Sequence, residues 1–168
     1  AEGFLLQSGK RDFECKMVLN CAGMNGDQLH NMVADPAFSL VPYKGEYWVL
    51  DTPEPGREIH HIILEQPETK GKGATIVPTV DGALLLGTTR QKAKGKKDFA
   101  TTPEGLDEIA KKGMHLCPGL CWEDGINQFA ALRPKLELLQ KAEDGSWEPS
   151  KQKVHDFWIG SPRGMPGW

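Results

Sequence analysis

Two apolar runs, Ala74–Thr79 and Ala83–Thr88, are joined through Asp81-Gly82. A connection this short links only antiparallel strands, because a parallel pair needs a crossover of a dozen or more residues. Gly82 supplies the positive φ that a tight hairpin asks for. Leu40–Leu50 and Ile59–Glu65 precede this hairpin as further strand candidates, set apart by Pro53-Glu54-Pro55-Gly56 and by Thr69–Gly73. The series is consecutive antiparallel pairing, which excludes a repeating βαβ alternation over this stretch.

The flanks add to the same plan. Phe4–Leu6 and Phe13–Leu19 lie either side of Ser8-Gly9-Lys10 and predict a hairpin. Leu29, Met32 and Val33 recur at helical spacing, and Asp35-Pro36 closes that short helix. Thr102-Pro103-Glu104 is a helix start, with a hydroxyl cap, proline in the first turn and an acid beside it. Leu106, Ile109, Ala110 and Gly113 mark its buried face, and Asp107–Lys111 and Glu108–Lys112 its wet one. Pro118-Gly119 ends it. Ile126–Leu132 and Val154–Ile159 predict two more strands around a polar, loop-like segment, Lys141–Lys153. The expected class is α+β: a largely antiparallel or mixed sheet with a long helix packed on one face.

At 168 residues, with 39% hydrophobic and 26% charged residues, the chain has the make-up of one soluble globular domain. A net charge of −3 calls for neither nucleic acid nor an anionic membrane as partner, and no apolar run is long enough to span a bilayer. Ala1–Leu6 has no basic segment before an apolar one, so it does not read as a signal peptide; lacking Met, it reads as an internal cut. Four cysteines are too few for a disulfide scaffold, and a reducing cytoplasm is expected.

Several motifs carry a chemical and a plain reading. Gly71-Lys72-Gly73 follows a polar loop and enters a strand, so it is neither a dinucleotide-binding turn nor a phosphate loop. Cys117 and Cys121, near His115, lack a second ligand pair for structural zinc, and no metal site is expected. Arg90, Lys92, Lys94, Lys96 and Lys97 form a basic tract without interleaved aromatics, which favours a solvated loop. His60 and His61 face opposite sides of a strand. Asn20-Cys21-Ala22-Gly23 lets backbone approach a ligand at a strand-to-helix passage, though taken alone it better suits a tight turn. Arg133, after the small residues of Phe129-Ala130-Ala131-Leu132, suits bidentate capture of a carboxylate or phosphate, and equally suits an ordinary surface position.

These pieces occur in a recognisable order. Met17-Val18-Leu19-Asn20-Cys21-Ala22-Gly23 resembles a "VINCAG" segment, and Val41-Pro42-Tyr43-Lys44-Gly45-Glu46-Tyr47 a "P-(F/Y)-(R/K)-G-E-Y" strand. Ile76–Gly82 with Leu86-Gly87-Thr88-Thr89 is similar to a "P-x-x-D-G…G-T-T" hairpin. Phe129–Pro134 is similar to "F-A-G-(L/V)-R-P", and Asp156–Gly160 with Met165-Pro166-Gly167 to "D-F-I-I…V-P-G". Together they resemble the FAD-dependent oxidoreductases that include D-amino-acid oxidase, glycerol-3-phosphate dehydrogenase and L-2-hydroxyglutarate oxidase.

The resemblance implies hydride transfer from a small anionic substrate, glycerol 3-phosphate or a 2-hydroxy acid, to the flavin of FAD. It implies substrate contacts from Arg133, Tyr47 and Lys44, and flavin contacts from Cys21, Ala22, Gly23, Thr88 and Thr89, with no side chain assigned as catalytic. Lys44 and Tyr47 have opposite parity on one strand, so both reach one pocket only through a bulge or twist. Glycerol-3-phosphate dehydrogenases tend to carry His where this chain has Tyr47; a phenol is a poor base near neutral pH, which shades the choice toward a 2-hydroxy acid. The family's Gly-rich fingerprint is absent. The expected layout is therefore residues 1–35 and 154–168 as stubs of a flavin-binding domain around an inserted substrate domain, 36–153. The remainder of the flavin-binding domain is then the missing partner, and this chain alone is expected to be inactive and colourless. The alternative is a non-catalytic ligand-binding or interaction domain of the same ancestry.

Overall fold

The computed structural model describes residues 3–51, 59–66, 73–120, 122–153, 157–162 and 167. The separator at Pro53–Gly56, most of that at Thr69–Gly73, Cys121, and residues 154–156 and 163–166 of the C-terminal motifs lie outside them. The chain divides into two compact units, 1–41 with 134–168, and 42–133.

Unit 42–133 is built on the predicted hairpin. β5 (Thr75–Pro78) and β6 (Leu84–Gly87) pair antiparallel, with Ile76 opposite Leu86 and Pro78 opposite Leu84. The turn closes through Thr79 N–H to Ala83 O (2.8 Å), with Gly82 at φ 91. β6 pairs antiparallel with β3 (Phe38–Leu50), and the short β4 (Ile63–Leu64) pairs with β5. β7 (Gln91–Lys92) also pairs with β3, and β8 (Gly125–Lys141) lies on the other side of β3. β3 and β8 each run across the boundary between the units.

The helix α2 (Pro103–Leu116) starts as its sequence dictates: Gly105 N–H donates to the Thr102 hydroxyl (3.1 Å), and proline stands in the first turn. The alternation of β3, β5 and β6 sends Leu50, Ile76, Leu84 and Leu86 to one side, where Ile109 of α2 meets them in the core. Trp48 packs against that cluster and donates its indole N–H to Leu106 O (3.2 Å). The i,i+4 pairs Asp107–Lys111 and Glu108–Lys112 form on the exposed side, at 2.6 and 2.7 Å. The architecture is α+β, a mostly antiparallel sheet with one long helix.

In the other unit, β1 (Phe4–Ser8) and β2 (Arg11–Cys15) form the expected hairpin. β2 stops at Cys15, opposite Phe4, where the partner strand begins, rather than running to Leu19. The helix α1 covers only Gly26–His30; beyond it Met32 is 75% exposed and residues 31–33 form turns. A helix this short gains little from propagation, so an apolar spacing alone does not extend it. Asp27 holds it in place, accepting from Gln28 N–H (2.8 Å) and Leu40 N–H (2.9 Å). His30, Phe38 and Trp158 form an aromatic cluster, with ring centroids 4.9 to 5.7 Å apart.

Two further segments differ from expectation. The polar stretch after Lys141 contains a strand, β9 (Trp147–Pro149), paired with Leu139–Lys141 across a turn with Gly145 at φ 85. Asp144-Gly145 was the signal, masked by the polarity of its neighbours. β8 passes through Pro134, which is tolerated because β9 reaches only its far end and no other described strand lies on that side. Residues 157–160 have no regular structure, in place of the strand expected there.

Candidate functional site

Unit 42–133 has two unlike sheet faces. One carries α2 and the core. On the other, Tyr47 lies opposite Gly87, where any Cβ would collide with the Tyr47 ring. Glycine at 87 is therefore what lets the ring lie down across β6. The ring stacks on Phe129 of β8, with centroids 5.0 Å apart and planes 15° apart. Arg133 follows Phe129 by four residues on the same strand, so alternation places it on this same face, exposed. The contacts Asp51–Asp124 and Tyr47–Phe129 run in opposite senses along β3 and β8, so the strands are antiparallel and Arg133 falls level with Tyr43. Phe129, Ala131 and Arg133 are all exposed. The face is open and mixes aromatic surface with a guanidinium.

Lys44 goes the other way. β3 itself is regular, and Lys44 and Glu46 both turn inward toward α2. The Lys44 ammonium is 5% exposed and donates to Ala100 O (2.7 Å) and to Asp98 (3.4 Å), with Glu46 3.4 Å away. Glu46 is fully buried and accepts from the Thr102 hydroxyl at 3.1 Å. Its carboxylate occupies the space where a side chain at Gly105 would sit. A buried carboxylate at this place is compensated by Lys44, by Thr102 and by the N-terminal end of α2. Asp98 is held below the usual carboxylate range, first by the backbone N–H of Lys94 (3.0 Å) and then by Lys44, with burial opposing them. Lys44 and Tyr47 are thus on opposite faces, and the bulge needed to bring them together does not occur in β3.

A bulge does occur, on the partner side. Tyr47 pairs with Gly87 and Lys44 with Gln91, so three residues, Thr88, Thr89 and Arg90, stand against Gly45 and Glu46. It divides the two threonines. Thr89 is buried, its hydroxyl accepting the Glu46 N–H (3.1 Å). Thr88 is half-buried, and its hydroxyl lies where a side chain at Gly45 would sit. Glu46 and the bulge are the residues that sequence reasoning passed over; the only sign of them was the Gly-Glu-Tyr of the strand motif.

In the other unit, Cys21 and Gly23 are exposed and Ala22 is half-buried, just before α1. Asn20 shapes this passage, donating to Gly26 O (2.7 Å) and accepting from Ala22 N–H (3.3 Å). Gly23 has φ 54, and the space where its side chain would be is empty. This is accessible backbone of the kind a flat ligand approaches. Among the described residues no three metal-ligating side chains cluster. Cys121, the second thiol of the Cys117–Cys121 pair, lies outside the described residues. An open cleft on the α2 side is lined by Trp48, Pro103, Leu106, Asp107 and Gln128, and holds none of the expected site residues.

The amino-acid sequence matches a known family over nearly the whole chain, residues 2–164. The chain belongs to the DAO family of FAD dependent oxidoreductases. The glycerol 3-phosphate dehydrogenase of Caloramator mitchellensis is 33% identical to it, across 80% of this chain and 28% of that protein. The L-2-hydroxyglutarate dehydrogenase of Escherichia coli K12 is 26% identical, across 65% of this chain and 29% of that protein. The dithionite-reduced L-α-glycerophosphate oxidase of Mycoplasma pneumoniae, solved with FAD bound, superposes with a TM-score of 0.67 at 27% identity, covering 74% of this chain and 32% of that one. This DAO-family chain therefore spans less than a third of the length of these relatives. No helix among its described residues is long and apolar enough to cross a membrane.

Proposed function

We propose that the protein carrying this segment oxidises glycerol 3-phosphate or a small 2-hydroxy acid, and that the segment supplies the substrate-binding face. The observation that carries this reading is the Tyr47–Phe129 stack with Arg133 on the same open side of the sheet. When bound, FAD supplies the hydride acceptor. Arg133 holds the anionic end of the substrate by charge-assisted hydrogen bonds. Tyr47 donates or accepts a hydrogen bond at the hydroxyl that is oxidised, its ring kept flat by Gly87 and Phe129. Lys44 serves from behind: it ties β3 to the loop before α2 and so fixes the pleat that presents Tyr47.

The residues fit FAD in two separate places. Cys21, Ala22 and Gly23 offer exposed backbone in one unit. Thr88 offers a half-buried hydroxyl in the other, while Thr89 is buried, with its hydroxyl accepting the Glu46 N–H. Residues 1–35 and 154–168 are proposed as flavin-domain portions around a substrate domain at 36–153. The remaining flavin-binding part of the protein is the partner, without which this chain is inactive. The free thiols of Cys15, Cys21 and Cys117 suit a reducing cytoplasm.

The test is Arg133→Ala in the parent flavoprotein. Loss of one charge-assisted bond lowers kcat/KM by about 10- to 100-fold. Unchanged turnover and affinity would remove Arg133 from the site. Flavin colour in the purified 168-residue chain would overturn the proposal that this chain needs the missing part to retain FAD.

A further inference from the structure

Around Tyr43 the open face gathers three cations, Arg90, Lys92 and Arg133. The Arg90 guanidinium lies 5.9 Å from the centre of the Tyr43 ring. Lys92 is directly opposite Tyr43 in the β3–β7 pair, so its side chain leaves the sheet on the same side. Arg133 is level with Tyr43 on β8. Arg90, Lys92 and Arg133 are all exposed, and among the described residues none is ion-paired to a carboxylate. The nearby acids, Glu46 and Asp98, are on the far side with Lys44.

Neighbouring strands are about 4.8 Å apart, so the Lys92 and Arg133 backbones flank Tyr43 at about 10 Å from each other. Arg and Lys side chains easily close that gap. Like charges held together without counter-ions repel, and the arrangement is favourable when an anion sits among them. A carboxylate is satisfied by a single bidentate guanidinium. A phosphomonoester carries nearly two charges on three terminal oxygens and engages several cations at once. The bulge at Thr88–Arg90 is what brings Arg90 over Tyr43.

We propose that Arg90, assisted by Lys92, forms a second cationic arm of the anion subsite founded on Arg133, and that this arm selects a phosphate head group over a carboxylate. The inference rests on the substrate-face reading above and names its substrate class: a phosphomonoester of a small alcohol. Tyr43 parks Arg90 through its ring face and keeps the arm extended.

The experiment uses the parent flavoprotein, titrated with inorganic phosphate and separately with acetate, and read by the flavin difference spectrum. Wild type is expected to bind phosphate more tightly than acetate. Arg90→Gln should weaken phosphate about tenfold, the loss of one charge-assisted contact, and leave acetate within about twofold. Arg90→Lys should restore part of the phosphate affinity. Arg90 is exposed, so thermal stability is expected to stay unchanged. Phosphate affinity within about twofold of wild type in Arg90→Gln, equal weakening of both anions, or no phosphate preference in wild type would each overturn the proposal. Arg133→Gln is the separate control: if it leaves both affinities intact, the substrate-face reading fails on its own, whatever Arg90→Gln does.

Discussion

Replacing Gly87 with alanine tests the geometry on which the substrate face depends. In a strand interior, Gly→Ala alone is favourable by about 0.5–1 kcal/mol, because glycine loses more backbone freedom on folding. Here the new methyl meets the Tyr47 ring, which is flanked on its other side by Phe129 at 5.0 Å. Overpacking costs about 1–3 kcal/mol, and displacing the ring forfeits an aromatic pair worth about 0.5–1.5 kcal/mol. The balance is a net destabilisation of about 1–3 kcal/mol. The assay is urea unfolding, with the midpoint shift read at constant slope. In a Tyr47→Ala background the obstacle is gone, so Gly87→Ala should become neutral or stabilising. The double-mutant cycle should therefore show coupling of about 2 kcal/mol. A stabilising Gly87→Ala in the wild-type background, or additive effects in the double mutant, would refute the placement of Tyr47 over Gly87.

Two other substitutions follow from the opposite face. Gly105→Ala improves helix propensity by about 1 kcal/mol on paper, yet its methyl would occupy the Glu46 carboxylate, so thermal denaturation should show destabilisation of about 1–3 kcal/mol instead. Asp98 has a lowered pKa in the fold, so the stability it contributes is fully present above the ordinary carboxylate value, about 4, and is lost as pH falls through the folded value. Asp98→Asn should accordingly be less stable than wild type at neutral pH, with the gap closing below about pH 4; a gap independent of pH in denaturant titrations would rule this out.

Local chemistry was legible because its causes are local. The Thr102 cap, the Asp81-Gly82 hairpin and the i,i+4 pairs of α2 each depend on residues within a few positions of one another, and each formed as read. The hidden elements were those whose signal was diluted, such as β9 behind the polar run at 141–146. Parity alone already set Lys44 against Tyr47, and the structure decided which of them faces the helix.

The order of motifs along the chain was sufficient to place it among FAD dependent oxidoreductases, and the run of strand and helix signals to predict an α+β sheet. No arrangement of letters shows that β8 lies beside β3, because that pairing joins residues some eighty positions apart and is settled by which apolar faces can be buried together. That pairing is what stacks Phe129 on Tyr47 and brings Arg133 to their side. The register between β3 and the strands that follow β6 likewise depends on a bulge, and through it Thr89 is turned in to Glu46 while Arg90 is turned out over Tyr43.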